Sequence, residues 1–115
     1  MPISLPDILD ERHVVLQLRA RDRENALSQI LDRLEKTESV RELERFLAQV
    51  LAREKSSSTL VENAVAFPHA RTDLVDQITL AIGRAPAGIP WNKKGERAQL
   101  IFAFAVPQRL ARDYS

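Results

Sequence analysis

The segment Ala64–Asp73 reads Ala-Val-Ala-Phe-Pro-His-Ala-Arg-Thr-Asp, and the rest of the chain is read outward from it. It opens as a short apolar run of the kind that forms a buried strand. Pro68 has no backbone N–H to give to a ladder, so the pairing is expected to end there. His69 follows at once, Arg71 stands two residues on, and Thr72-Asp73 reads as a helix start. A reactive side chain is thus expected where a strand leaves a sheet, the place where open α/β folds form ligand crevices.

Upstream, His13–Leu18 alternates weakly and reads as a strand, with His13 a solvated histidine at its start. Asp22 is placed to cap a helix in which Ala26, Leu27, Ile30, Leu31 and Leu34 recur at helical spacing. Lys36–Glu38 closes that helix. Ser39 and Glu42 match the serine-to-glutamate spacing of a capping box, followed by a second stripe, Val40, Leu43, Phe46, Leu47, Val50 and Leu51. Two helices with one apolar face each call for a sheet to cover. The following Ala-Arg-Glu-Lys-Ser-Ser-Ser-Thr stretch, Ala52–Thr59, is either a plain surface connection or a loop that turns Arg53 and Thr59 toward the crevice of His69.

Downstream, Thr72–Gln77 reads as a short helix or turn and Ile78–Ile82 as a strand. Gly83–Pro90 is a cluster of turn formers, Trp91 a packing residue, and Asn92–Arg97 a solvated loop. Gln99–Val106, dominated by Leu100, Ile101, Phe102, Phe104 and Val106, is a run suited to a central strand buried on both faces, stopped by Pro107, with Arg109–Ser115 starting another helix. The order predicts a single α/β domain over 1–115 with a mixed central sheet flanked by helices.

Composition narrows the function classes. The 115 residues carry 17 basic and 16 acidic groups, so no basic excess points to nucleic acid. There is no cysteine, which excludes disulfides, thiolate metal sites and cysteine nucleophiles and fits a reducing, cytoplasmic setting. The longest apolar run falls far short of a membrane span. The three glycines are isolated, so there is no phosphate-cradling loop, and the two histidines have no spaced carboxylates to form a metal site. What remains is one histidine beside arginines. Imidazole is a covalent nucleophile and, at its ordinary pKa near ~6.5, is available neutral at pH 7. Phosphoryl transfer needs in-line placement and cations for the equatorial oxygens, which guanidinium groups supply.

The wider pattern, Thr59-Leu-Val-Glu-Asn-Ala-Val-Ala-Phe-Pro-His69-Ala-Arg71-Thr-Asp with Arg53-Glu54 upstream and the Ile89–Trp91 and Leu100–Pro107 segments downstream, resembles the fructose/mannitol-type enzyme IIA domains of the bacterial phosphotransferase system. Nitrogen-regulatory IIA proteins belong to the same family. The resemblance implies an α/β fold with a mixed central sheet. It implies that His69 accepts phosphate from an HPr-type phosphohistidine carrier and passes it to a IIB domain or uses it as a signal. Arg53 would steady the phosphoryl oxygens, Thr59 would line the pocket, and Arg71 would assist donor recognition. No metal or organic cofactor is implied.

Three departures bear on that reading. The family usually has glycines between its Ser-Thr and Pro-His, and none stands here. Many transport-type members carry a second histidine after the last strand, where this chain has Tyr114. The family continues through one or two further helices, so either the C-terminal part is expected to be missing or an apolar face is left for a partner. These departures sustain an alternative: a IIA-like module that regulates a transporter, kinase or other partner by contact, without phosphorylation.

Overall fold

A computed structural model of the chain describes residues 8–109. Ile3–Leu9 is therefore covered only in part, and Tyr114 and the helix expected over Arg109–Ser115 lie outside the described residues except for Arg109 itself.

The architecture is one mixed sheet with two helices packed on it. The strands are β1 (Val14–Val15), β2 (Leu60–Val61), β3 (Val65–Ala66), β4 (His69–Thr72), β5 (Thr79–Pro90) and β6 (Arg97–Pro107). The helices are α1 (Arg23–Lys36) and α2 (Leu43–Ser56). The sheet runs β1-β5-β6-β3-β2, with β4 also pairing β6. Strand β6 lies antiparallel to β5 and parallel to both β3 and β4. The expected mixed α/β fold is thus present, with β6 at its centre.

The two faces of the sheet differ in side-chain size. Alternation in β6 puts Ile101, Ala103 and Ala105 on one face, fully buried, and Leu100, Phe102, Phe104 and Val106 on the other, half-buried. Across the ladder, Gly83 and Ala81 of β5 stand opposite Ile101 and Ala103. Ala66 of β3 stands opposite Ile101, and Ala70 of β4 opposite Ala105. This face of small residues receives α1, which packs on β5, and α2, which packs on β4. The run expected to be buried on both faces is therefore buried fully on one only.

The apolar stripes behave as their spacing requires. Ala26, Leu27, Ile30, Leu31 and Leu34 of α1 are buried, as are Phe46 and Val50 of α2 and Val40 just before it. Asp22 caps α1 through its carboxylate, which accepts from the backbone N–H of Asn25. The capping box expected at Ser39 does not form. Helix α2 starts at Leu43, its N-cap Glu42 lies in the left-handed region, and no side chain caps it. The Ser39 hydroxyl is instead 2.7 Å from that of Thr37 and 3.4 Å from His13 Nε2.

Several local expectations are corrected. His13 is not solvated. It is buried, with Nε2 2.6 Å from the Thr37 hydroxyl, and only Val14–Val15 of the expected first strand pairs. Its place between the end of α1 and the start of the sheet outweighs its polar sequence neighbours. Pro68 does not end the pairing: its carbonyl still accepts from Phe104 N–H at 3.0 Å, so the ladder resumes as β4 after one missed donor. Thr72 consequently ends a strand instead of starting a helix. Its hydroxyl accepts from Leu74 N–H, turning the chain so that Leu74 and Val75 are buried. The turn formers of 83–90 lie within β5, which runs on to Pro90 and absorbs Pro86–Gly88 as an irregularity in its register against β6 between Arg84 and Ile89. Trp91 is buried, as a packing residue should be.

Two predictions follow from this packing. A Cβ at Gly83 would stand 2.6 Å from Ile30 Cδ1 and 2.9 Å from both Ile30 Cγ1 and Leu18 Cδ2, all in the closed core. Gly83→Ala should lower stability by about 1–3 kcal/mol through overpacking, read as a lower urea midpoint at unchanged slope. The second concerns His13, whose burial holds its pKa below the ordinary 6.5, the charge of Asp10 opposing that shift and that of Arg12 adding to it. With the folded value depressed, the unfolded chain binds the extra proton first. Stability from this group is therefore complete above about pH 6.5 and declines as pH falls below it, a loss that His13→Gln should flatten in melting temperatures taken from pH 7.5 to pH 5.

Candidate functional site

The site is built where the strand opposite β6 breaks. Strands β2 and β3 form a tight antiparallel hairpin, Leu60 opposite Ala66 and Val61 opposite Val65. Its turn places Asn63 at φ 65° and Ala64 at φ 61°. Asparagine tolerates the left-handed region, whereas alanine is strained there. This is the stretch in which the resemblance led us to expect glycines, and here the same kind of backbone is made without them.

The chain then reaches Phe67-Pro68. The Phe67 N–H points back at Thr59, 3.2 Å from its hydroxyl and 3.3 Å from its carbonyl oxygen. The Phe67 carbonyl accepts from His69 Nδ1 at 2.9 Å. A carbonyl can only accept, so Nδ1 carries the proton and Nε2 the lone pair. The imidazole is half-buried, as β4 begins.

The period of two along β4 puts His69 and Arg71 on one face, with Cα atoms about 6.6 Å apart, and turns Ala70 and Thr72 inward beneath α2. Arg71 is exposed, and its side chain makes no hydrogen bond or ion pair among the described residues. His69 and Arg71 therefore share the sheet face of large side chains, opposite Phe104 and Val106 of β6. Phe67, 38% exposed, stacks on Phe102 with ring centroids 5.5 Å apart, and Val61 is 52% exposed nearby in the hairpin. The imidazole stands in an apolar surround, with an exposed arginine two residues on along the same strand face.

The other two sequence candidates have defined places. Arg53 lies in the last turn of α2, where its guanidinium donates to the Ser57 carbonyl at 2.9 Å and so caps the helix end. The Thr59 hydroxyl donates to Glu54 and accepts from Phe67 N–H. Thr59 is thus joined to His69 through the backbone of one residue, Phe67, and His69 and Arg71 through the strand. His69 lines neither of two clefts of about 360 and 1110 Å³. The smaller lies beside His13, the larger between Trp91 and the loop that follows α2. Among the described residues no group of three or more histidines and carboxylates converges as a metal cradle.

One residue in this constellation, quoted in the wider sequence pattern beside Arg53, was given no role there. Glu54 is 2% exposed, and its carboxylate accepts from Thr59 N–H at 3.1 Å, from the Thr59 hydroxyl, and from Trp91 Nε1 at 3.2 Å. Arg23 Nη1 is 3.8 Å from the same carboxylate and donates to the Trp91 carbonyl at 3.0 Å. A signal was present: Phe46, Val50 and Glu54 fall at i, i+4 and i+8 on the buried stripe of α2, so a carboxylate occupies a core position.

Comparison with known proteins matches residues 7–114 to the family described as phosphoenolpyruvate-dependent sugar phosphotransferase system, EIIA 2. The chain belongs to this EIIA 2 family. The fructose-specific EIIABC component of Bacillus subtilis is 25% identical over 107 residues, covering 92% of this chain and 17% of that protein. The fructose-specific EIIA component of Haloferax volcanii is 30% identical over 93 residues, covering 80% of this chain and 60% of that one. The chain thus spans less than two thirds of either relative. Among solved structures, the nitrogen regulatory protein IIA-Ntr of Neisseria meningitidis superposes with a TM-score of 0.82 at 28% identity, over 94% of this chain and 74% of that one. The IIA mannitol of Escherichia coli has the same fold, with a TM-score of 0.77 at 21% identity over 92% of this chain and 77% of its own. The EIIA 2 assignment and the mixed α/β fold agree with the expectations drawn from the sequence.

The strained hairpin gives a prediction. Ala64→Gly should relieve the left-handed strain and raise stability by about 1 kcal/mol, read as a higher urea midpoint.

Proposed function

We propose that this EIIA 2 domain is a phosphocarrier whose acceptor atom is Nε2 of His69. The observation that carries the reading is the Phe67 carbonyl on Nδ1, which leaves Nε2 as the ring's lone pair on a half-buried imidazole. The donor is an HPr-type carrier bearing a phosphohistidine. The Nε2 lone pair attacks phosphorus, the Nε2–P bond forms, and the donor's N–P bond breaks with its electron pair returning to the donor imidazole. The proton on Nδ1 of His69 stays on the ring, donated to the Phe67 carbonyl, and that hydrogen bond supports the charge the ring acquires. Arg71, free at the surface on the same strand face, is suited to hold the phosphoryl oxygens or an acidic rim on the donor. Arg53 is assigned the same task from the end of α2, after exchanging its bond to Ser57. Phe67 and Val61 provide the apolar contact on which a carrier would seat.

The next acceptor is a IIB-type domain or, in a signalling setting, a regulated partner that distinguishes the phosphorylated from the free form. Support for the first comes from a relative in fold, the IIA mannitol of Escherichia coli, which has been solved in complex with phosphorylated IIB. Support for the second comes from the likeness to IIA-Ntr. Both settings are cytoplasmic, and no helix among the described residues is long and apolar enough to cross a membrane.

The test is labelling. Incubation with phosphoenolpyruvate, enzyme I and an HPr-type carrier should leave an acid-labile, base-stable phosphate on the wild type and none on His69→Ala. An unlabelled wild type, with carriers of both the sugar and the nitrogen type, would overturn the phosphocarrier reading and leave a module that acts by contact.

A further inference from the structure

Glu54 is a carboxylate at the centre of the fold that no phosphoryl-transfer step uses directly. Its side chain has no exposed surface. Burying a carboxylate costs several kcal/mol unless its lone pairs are filled, and three of the bonds that fill them come from fixed donors on Thr59 and Trp91. Two of those three donors belong to Thr59. The carboxylate thereby fixes both the backbone and the hydroxyl orientation of one residue.

That orientation has a direction. Both oxygens of Glu54 can only accept, so the Thr59 hydroxyl must point its proton at Glu54. Its own lone pair is then aimed at the Phe67 N–H, 3.2 Å away. The backbone of Phe67 is held at its N–H by Thr59 and presents its carbonyl to His69 Nδ1. Pro68 has no N–H, so the peptide that carries this carbonyl has no donor of its own to anchor it and depends on the hold at the Phe67 N–H. From the buried carboxylate to the imidazole the path contains one hydroxyl and the backbone of one residue.

We infer that Glu54 is a positioning residue for His69: by orienting the Thr59 hydroxyl it holds the Phe67 carbonyl on Nδ1 and so selects the tautomer that leaves Nε2 free to take a phosphoryl group. The inference rests on the reading of His69 as the acceptor, but the link from Glu54 to the ring's protonation pattern stands apart from it. The mirror case, a proton on Nε2, would abolish the nucleophile without moving the ring. A second-sphere group of this kind affects rate through the fraction of molecules in the competent tautomer and through the persistence of the ring's orientation.

The substitution that isolates the effect is Glu54→Gln, which keeps the shape and replaces one acceptor oxygen by a donor. Nitrogen-15 NMR of histidine-labelled protein reports the tautomer, with the His69 signals assigned by their absence from His69→Ala. The wild type is expected to show the proton on Nδ1. Glu54→Gln should shift the ring toward a mixture and slow phosphoryl acceptance by about tenfold, roughly the worth of one hydrogen bond in the barrier. If Glu54→Gln does not fold, Thr59→Val and Thr59→Ser make the same comparison: valine should lose the Nδ1–H signature and serine restore it. A wild type with its proton on Nε2, or variants that lower the melting temperature while leaving the His69 signature and the acceptance rate unchanged, would overturn the inference. A tautomer shift in Glu54→Gln in a protein that takes no phosphate even as wild type would uphold the positioning link and sink the phosphocarrier reading instead.

Discussion

The backbone of one residue, Phe67, governs how this domain presents its histidine. It lies at the single interruption in the ladder between β6 and the β3–β4 line, where Pro68 has no N–H to contribute. An interruption of this kind normally leaves local backbone groups without partners, and a buried unpaired group costs about 1–3 kcal/mol. Here the vacancy is filled asymmetrically. The Thr59 loop takes the N–H of Phe67, an imidazole takes its carbonyl, and the Pro68 carbonyl returns to Phe104. The hydrogen bonds a regular strand would have made with its neighbour become the hydrogen bonds that orient a side chain.

The rest of the architecture serves that interruption from both sides. On the helix face, alanines and Gly83 let α1 and α2 approach the sheet closely, which brings the end of α2, and with it Glu54, to the level of the hairpin. Trp91 closes the other side of Glu54 at the end of β5, and Arg23 bridges from the first turn of α1. Three elements distant in sequence therefore meet at one carboxylate. On the opposite face, larger side chains surround His69 and Arg71, so the histidine stands in an apolar setting with an exposed cation two residues away. The buried charge and the exposed charge differ in kind: the first is held by fixed donors, the second is open to solvent.

Much of this was legible in the chain because it depends on periodicity and on proline. The stripes of α1 and α2 and the central place of Leu100–Val106 follow from local pattern and are found where they were expected, whereas the Pro-His junction, read as the end of a strand, is a break of one donor after which β4 resumes. What local pattern misjudged shares a cause. His13 looks polar among Asp10, Glu11 and Arg12, yet the end of α1 folds over it. Ser39 has the spacing of a capping box, yet Thr37 and His13 hold its hydroxyl. Gly83–Pro90 has turn composition, yet β6 offers a full-length partner, and pairing overrides propensity. In each case a long-range contact supplied a better partner than the sequence neighbours could.

Glu54 shows the same limit from the functional side. Its neighbours Arg53 and Lys55 are charged, and a charge run at a helix end ordinarily reads as solvated surface. Only the helical period, which sets it one turn beyond Val50 on the buried stripe, marks it as interior. A buried carboxylate with three donors around it is poor value as a stabilising device, since an apolar residue of similar volume would often serve the core as well. Its presence is better explained by direction than by stability. An apolar side chain could fill the space beside Trp91, but it could not tell the Thr59 hydroxyl which way to point, and that choice is what reaches His69.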